Sequence, residues 1–365
     1  MSKDVWHFLR TALAQQVLGM FETGLSSALV FFAPRRMGKT EFLRKDVQPL
    51  AEKKKWKTFY FSFLDIGEQV HEEFTNALGA FAERVGAINN KRGVFTRIRK
   101  IGAEAAGIKA NVEIEEPKTS RVDMKTIFSC LAEKEKIILL MDEVQVLSKN
   151  DKNQQFIAGL RTSLDIHKDT IKVIFTGSSR EGLRRMFSQA SAPFFHFGQN
   201  LPFPELDKTF TDHLSIVFNK VTQRHLDPEI LWETFLEMDH VPQLVRSLVE
   251  RLALNPAQTI SDAKDQLLAD IYTDRAYVEV WKKSSKLEQI LLREIANKAE
   301  GLFSEKSRHC FATNLGIPVL TVPAIQSSLR VLQRKNLIGK LPERAGYFID
   351  DPNFNRWLQH TELIE

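Results

Sequence analysis

The sequence has only two cysteines, Cys130 and Cys310, far apart and without His or Cys neighbours at ligand spacing. That excludes a disulfide framework, offers no zinc pattern, and points to a reducing compartment. Long apolar runs are missing as well: those around Ala28 to Ala33 and Ile137 to Met141 fall far below membrane-spanning length. The opening MSKDVWHFLR has no apolar signal core, so a cytoplasmic protein is the expectation. There is no internal repeat and no low-complexity tract. Tyrosine is scarce, 4 residues against 26 Phe, a bias that composition alone does not explain.

What remains is the balance of a globular protein, with 43% hydrophobic and 27% charged residues. A chain of 365 residues is too long for one ordinary domain and suits two or three, each with its own core. The net charge is +5 and the pI about 9.0. Basic clusters at Lys53 to Lys55 and Arg97 to Lys100 are compatible with a polyanion partner or with solvated helix faces.

Apolar residues at helical spacing over 4–22 (Val5, Phe8, Leu9, Leu13, Val17, Leu18, Phe21) predict an amphipathic helix ending near Gly24. Ala28 to Phe32 then reads as a buried strand, followed by a turn and a helix from Lys39. Further strands are expected at Thr58 to Leu64, Ile137 to Met141 and Val173 to Thr176, with helical stretches between them. Alternating strands and helices imply an α/β core, a parallel sheet with helices on both faces. Residues 86–120 are Gly-, Ala- and Lys-rich with weak periodicity and have no assignable fold. The expected division is a core over 1–205, a helical lid over 206–283, and a winged helix over 284–365. The last consists of three helices and a hairpin, Gly339 to Leu341 and Tyr347 to Ile349, around Glu343 to Gly346.

Between the first strand and the helix from Lys39 lies Ala33-Pro34-Arg35-Arg36-Met37-Gly38-Lys39-Thr40. It matches the phosphate-loop pattern except that Ala33 replaces the first glycine. Backbone N–H groups at a helix start, a lysine for the outer phosphates and a hydroxyl for Mg²⁺ are what that chemistry needs. Ala33 is tolerable if its position does not require a glycine-like dihedral. Later, Ile137 to Glu143 is a buried strand ending in two carboxylates. Asp142 is the candidate to hold Mg²⁺, and Glu143 to orient or deprotonate the attacking water. A nucleoside triphosphate with Mg²⁺ is therefore the expected ligand. Val173 to Arg180 is another apolar strand ending in hydroxyls, where Ser178 either senses the γ-phosphate or, with Ser179, caps the next helix. Arg180, Arg184 and Arg185 are candidates to stabilise phosphate charge, in cis or across a subunit boundary.

Taken together, Pro34 to Thr40, the Asp142-Glu143 strand end and Thr176-Gly177-Ser178-Ser179 resemble the archaeal-type ATPases of the STAND class, relatives of the AAA+ ATPases. The resemblance covers nearly the whole chain. It matches Asp239 to Gln243 to a lid motif whose proline, here Pro242, is implied to sit near the adenine. It also matches Tyr347 to Phe354 to the segment that closes a C-terminal winged helix. Many members carry an arginine where this chain has Gln199, which leaves the charge to Arg180 or a neighbour, or to a partner. The use of ATP over GTP is implied by the resemblance, and no guanine-recognition motif follows a strand.

In the winged helix, Thr321 is the expected N-cap of a helix exposing Gln326, Ser327, Arg330, Arg334 and Lys335 and burying Ile325, Leu329 and Leu332. Lys340 and Arg344 fall in the wing. These residues suit double-stranded DNA, with a protein contact as the other reading. The function expected is an ATP-driven switch. Two other readings are a nucleotide-gated DNA-binding regulator with little turnover, and an oligomerising helper ATPase of a mobile element or defence system. No acceptor-substrate motif suggests a kinase, and no accessory motif a helicase.

Overall fold

The computed structural model describes residues 4–64, 69–88, 123–187, 192–340 and 346–360. Most of the 86–120 segment, from residue 89 on, lies outside these, as do Leu341 and residues 343–345 of the expected wing, Arg344 among them.

The continuous apolar runs become strands because a strand covered on both faces needs apolar residues at every position. These are β1 (Ala28–Phe32), β3 (Ile137–Asp142) and β4 (Ile171–Gly177), joined at the edges by β2 (Lys57–Ser62), less buried and bounded by Lys57 and Ser62, and by β5 (Gln199–Pro202), which the sequence pattern did not suggest. All neighbours are parallel, in the order β2-β3-β4-β1-β5. Alternate side chains go to opposite faces. Val30, Phe59, Leu139 and Phe175 meet α3 (Val70–Arg84), α4 (Met124–Lys134), α5 (Gln154–Ile166) and α6 (Arg180–Phe187). Leu29, Phe31, Leu140 and Ile174 meet α1 (Thr11–Glu22) and α2, the helical run 39–53.

The phenylalanine bias finds its use on the first face. Phe59 lies 5.3 Å from Phe81, Phe61 5.0 Å from Phe74, and Phe187 5.3 Å from Phe194. Edge and offset ring contacts fill this layer without hydroxyls, which would each need a buried partner.

The first helix is shorter than its periodicity predicts. Residues 4–10 form a strap with Val5 and Leu9 about half exposed. His7 Nε2 lies 2.6 Å from the buried Asp46 carboxylate, and Arg10 N–H donates to the same group. Phe8 packs edge-on to Phe210 at 5.9 Å. These long-range anchors outcompete local helix continuation. Within α2, Phe42–Val47 is π-helical just before Pro49, which has no N–H to close the preceding turn.

Beyond β5 the chain is helical: α7 (Lys208–Thr222), α8 (Pro228–Glu237), α9 (Pro242–Leu254), α10 (Ile260–Tyr272) and α11 (Arg275–Lys282). Then come α12 (Lys286–Ala296), α13 (Glu305–Leu315), α14 (Val322–Arg334), the antiparallel pair β6 (Ile338–Lys340) and β7 (Tyr347–Ile349), and α15 (Pro352–His360). Helix starts are written locally. Asp207, Asp227, Asp274 and Ser304 each accept an N–H of the first turn, and Thr259 with Asp262 and Ser285 with Glu288 form capping boxes. Thr321 sits at the N-cap of α14, but its side chain makes no cap bond. A single buried cluster runs from Phe210 to Leu358, with Trp281 and Trp357 5.9 Å apart, so these helices share one core. Among the described residues no helix is long and apolar enough to cross a membrane.

Candidate functional site

The loop after β1 turns sharply into α2. Left-handed backbone falls at Arg36 (φ 67°) and Gly38 (φ 87°), and Ala33 has no positive φ, so the missing first glycine is not needed for conformation. Lys39, 4% exposed, donates through Nζ to the carbonyls of Ala33 at 2.7 Å and Pro34 at 2.8 Å. Burial lowers its pKa to about 8, against the opposing pull of the Glu143 and Asp142 charges, and nearby Arg35 lowers it further.

One strand separates the loop from the acidic end of β3. That strand is β4, and its last residues lie between the two. The buried Asp142 accepts from Thr40 Oγ1 at 2.5 Å, from Tyr60 OH at 3.1 Å and from Thr176 Oγ1. Desolvation together with the Asp142 charge raises the Tyr60 pKa, keeping its phenol a donor. Glu143 sits in left-handed backbone, φ 55°, a strained position for this side chain. Its Oε2 accepts from Ser178 Oγ at 2.7 Å and from Gln145 Nε2. Neighbouring Ser179 is the helix cap, accepting from Gly182 N–H, and its hydroxyl donates to Asn336 Oδ1 at 3.2 Å, in the turn between α14 and β6. Of the two serines, Ser179 takes the capping role, while Ser178 holds the Glu143 carboxylate.

Arg35, Arg36, Gly38, Lys39, Thr40, Glu143 and Gln243 line a cavity of about 450 Å³. A second cavity of about 1090 Å³ adjoins the loop, lined by Ala33, Pro34 and Met37, by Val241, and by Ile295, Tyr347 and Ile349. Pro242 is the buried first residue of α9, between Val241 of the larger cavity and Gln243 of the smaller. Arg180 opens α6 and Gln199 opens β5. Gln326, Arg330, Arg334 and Lys340 are exposed, and Ile325, Leu329 and Leu332 are buried as their spacing predicts. Lys335, though exposed, pairs with the buried Glu288 at 2.9 Å.

Arg36 reaches out of the loop. Its Nη1 is 3.0 Å from both oxygens of Asp351, its Nη2 donates to Tyr277 OH at 3.3 Å, and Tyr277 OH donates to Asp351 at 3.3 Å. Asp351 also accepts Asn353 N–H at 2.9 Å at the start of α15. Tyr60, Gln145, Tyr277 and Asn336 are contributors that motif reading missed, and Thr176 and Asp351 lie in segments that carry the resemblance, which gives neither residue a role. No local spacing marks Tyr60, Tyr277 or Asn336, because each meets its partner across strands or between distant helices, while Gln145 meets Glu143 only two residues back, through a turn that no motif specifies.

A strand order that places β4 between the loop-bearing β1 and the acid-tipped β3, with helices on both faces, defines a P-loop ATPase fold. Residues 10–193, slightly more than half of the chain, match the family described as an ATPase domain predominantly from Archaea, and the chain belongs to that family. Its structure is similar to the Walker-type ATPase PABY2304 of Pyrococcus abyssi, at 18% identity, TM-score 0.67, over 98% of this chain and 97% of that one. It is also similar to the Aeropyrum pernix ORC2 protein with ADPNP and ADP, at 14% identity, TM-score 0.57, over 98% and 96%. No curated protein matches it.

Proposed function

We propose that this protein is an ATP-hydrolysing switch of the STAND type, related to the AAA+ ATPases, whose nucleotide state sets how a C-terminal winged helix meets DNA or a protein partner. The observation that carries the reading is the Arg36–Asp351 pair, which ties the phosphate loop itself to the start of α15. A ligand that rearranges the loop must act on that pair, so loop occupancy and docking of the C-terminal helices are linked. Family membership and the fold shared with an ADPNP- and ADP-bound protein support nucleotide as the ligand.

In this reading residues 206–283 are the lid and 284–365 the winged helix. Lys39 moves from the Ala33 and Pro34 carbonyls to the outer phosphates, with the N-terminus of α2 and Arg35 adding positive field. The hard oxygen donors of Thr40 and Asp142, 2.5 Å apart, fit Mg²⁺, which takes few protein ligands and keeps its waters. When bound, the ion neutralises phosphate charge. Glu143 receives the proton of the attacking water, Ser178 helps hold that carboxylate, and Arg180 supplies charge to the transferred phosphate. The larger cavity takes the adenosine, with Pro242 at the lid edge. Gln326, Arg330, Arg334 and Lys340 form the exposed polar face for duplex DNA. The working compartment in this reading is the cytoplasm.

Phosphate release with Mg·ATP, with and without duplex DNA, tests it alongside Lys39→Ala, Glu143→Gln and an EDTA control. The expected result is turnover raised by DNA, abolished by EDTA and by Lys39→Ala, and reduced on the order of 10²–10⁴-fold in Glu143→Gln. Wild-type protein that binds ATP and never releases phosphate overturns the hydrolytic part. Turnover indifferent to DNA directs the winged helix to a protein partner.

A further inference from the structure

Glu143 does not hold its own position. It follows a strand whose register ends at Asp142, and its backbone is left-handed. The chain continues into a short 3-10 segment, Val144–Lys149, where Val146 N–H closes back on the Glu143 carbonyl at 3.1 Å. In that turn Gln145 points inward and is 4% exposed. Its amide donates to Glu143 Oε2 and, at 3.2 Å, to Ser178 Oγ, so that amide, carboxylate and hydroxyl form a closed triangle.

The surroundings leave room for this side chain and little else. A Cβ added to Gly177 would lie 2.5 Å from Gln145 Oε1, and one added to Gly182 would lie 2.6 Å from Gln145 Cβ. Ser148 Oγ donates to the Gln145 carbonyl at 2.8 Å, holding the turn from the other side. The amide orientation follows from chemistry: reversed, its oxygen would face a carboxylate oxygen, whereas as placed its N–H₂ meets two acceptors. Oε1 has no hydrogen-bond partner among the described residues, and both donated bonds of the amide go to the Glu143 and Ser178 side.

We infer that Gln145 is a positioning residue that acts through Glu143, fixing Oε2 so that Oε1 is the oxygen presented to the attacking water. This rests on the proposed role of Glu143 as the water-activating carboxylate. Ser178 shares the task from just past the end of β4, and through its neighbour Ser179 the same turn touches Asn336 in the turn after α14. A plain packing role for Gln145 would require its volume. The positioning role requires its amide.

The test is steady-state ATP turnover and nucleotide affinity for wild type, Glu143→Gln, Gln145→Met and the double variant, with thermal midpoints as a folding control. Methionine keeps the length and volume and removes the donor. The expected result is a turnover loss of about ten- to a hundred-fold in Gln145→Met, as for a misplaced reacting group, with nucleotide affinity unchanged within about twofold. In the Glu143→Gln background the same change should have no further effect, because a residue acting through Glu143 has nothing left to position. Ser178→Ala should reduce turnover less and show the same non-additivity, which keeps the question answerable if Gln145→Met does not fold. Undiminished turnover in Gln145→Met overturns the inference alone, as does an equal loss with and without Glu143. Undiminished turnover in Glu143→Gln instead overturns the hydrolytic reading on which the inference rests.

Discussion

The carboxyl edge of the sheet and the contact between the phosphate loop and the C-terminal helices are both polar, but they are built differently. At the sheet edge Asp142 is 2% exposed and takes hydroxyls from Thr40, Tyr60 and Thr176, set by strand register and the start of α2. At the contact, the Arg36 and Asp351 side chains are 24% and 15% exposed, and their partners come from a separately packed core. Removing a donor at the first site leaves a buried charge underserved, whereas at the second water can take its place. The switch proposed above would use both, a rigid centre for chemistry and a boundary that can change partners.

The contrast is sharpest in Thr176→Val, which keeps the shape and removes one donor from Asp142. It should lower stability by about 1–3 kcal/mol in urea unfolding, and an unmoved midpoint would break the distinction. Lys39 tests the buried site by titration. Burial holds its folded pKa near 8, below the unfolded value of about 10.4, so the folded state binds fewer protons between these limits. From this group alone, nucleotide-free stability rises as pH climbs from about 8 to about 10.4 and is lowest below about 8. Nucleotide affinity runs the other way, falling up to about tenfold per pH unit above about 8 as the ammonium is lost, an effect that Lys39→Arg should remove. The smallest effect belongs to the boundary. Asp351→Asn keeps an acceptor at the start of α15 and removes the charge, so it should cost about 0.2–1 kcal/mol while speeding release of a fluorescent ADP several-fold. A stability loss matching Thr176→Val would show that the two regions are not different in kind.

How much was legible in advance follows the same division. Lys39-Thr40 and Asp142-Glu143 are contiguous, and each pair follows a run apolar enough to be a buried strand, so both were readable by pattern. Ser178 and Ser179 could be located but not assigned, because their roles depend on Glu143, Gly182 and Asn336. The helix expected to begin at residue 4 begins at Thr11 because Asp46 and Phe210 hold the strap. Helix α15 and β5 escaped notice, being short and polar at their starts.

The sequence by itself determined β1 to β4, the phosphate-loop motif, the acidic strand end and the buried stripe of α14, since each depends on neighbours along the chain or on one period of a helix. Only the tertiary structure decided that β4 would come between β1 and β3, bringing Thr176 to Asp142 and Ser178 to Glu143. It alone paired Arg36 with Asp351, 315 residues away. The physical reason is that strand order and the docking of a second core are settled by packing whole apolar faces together, and polar partners are chosen among whatever side chains that packing brings within reach.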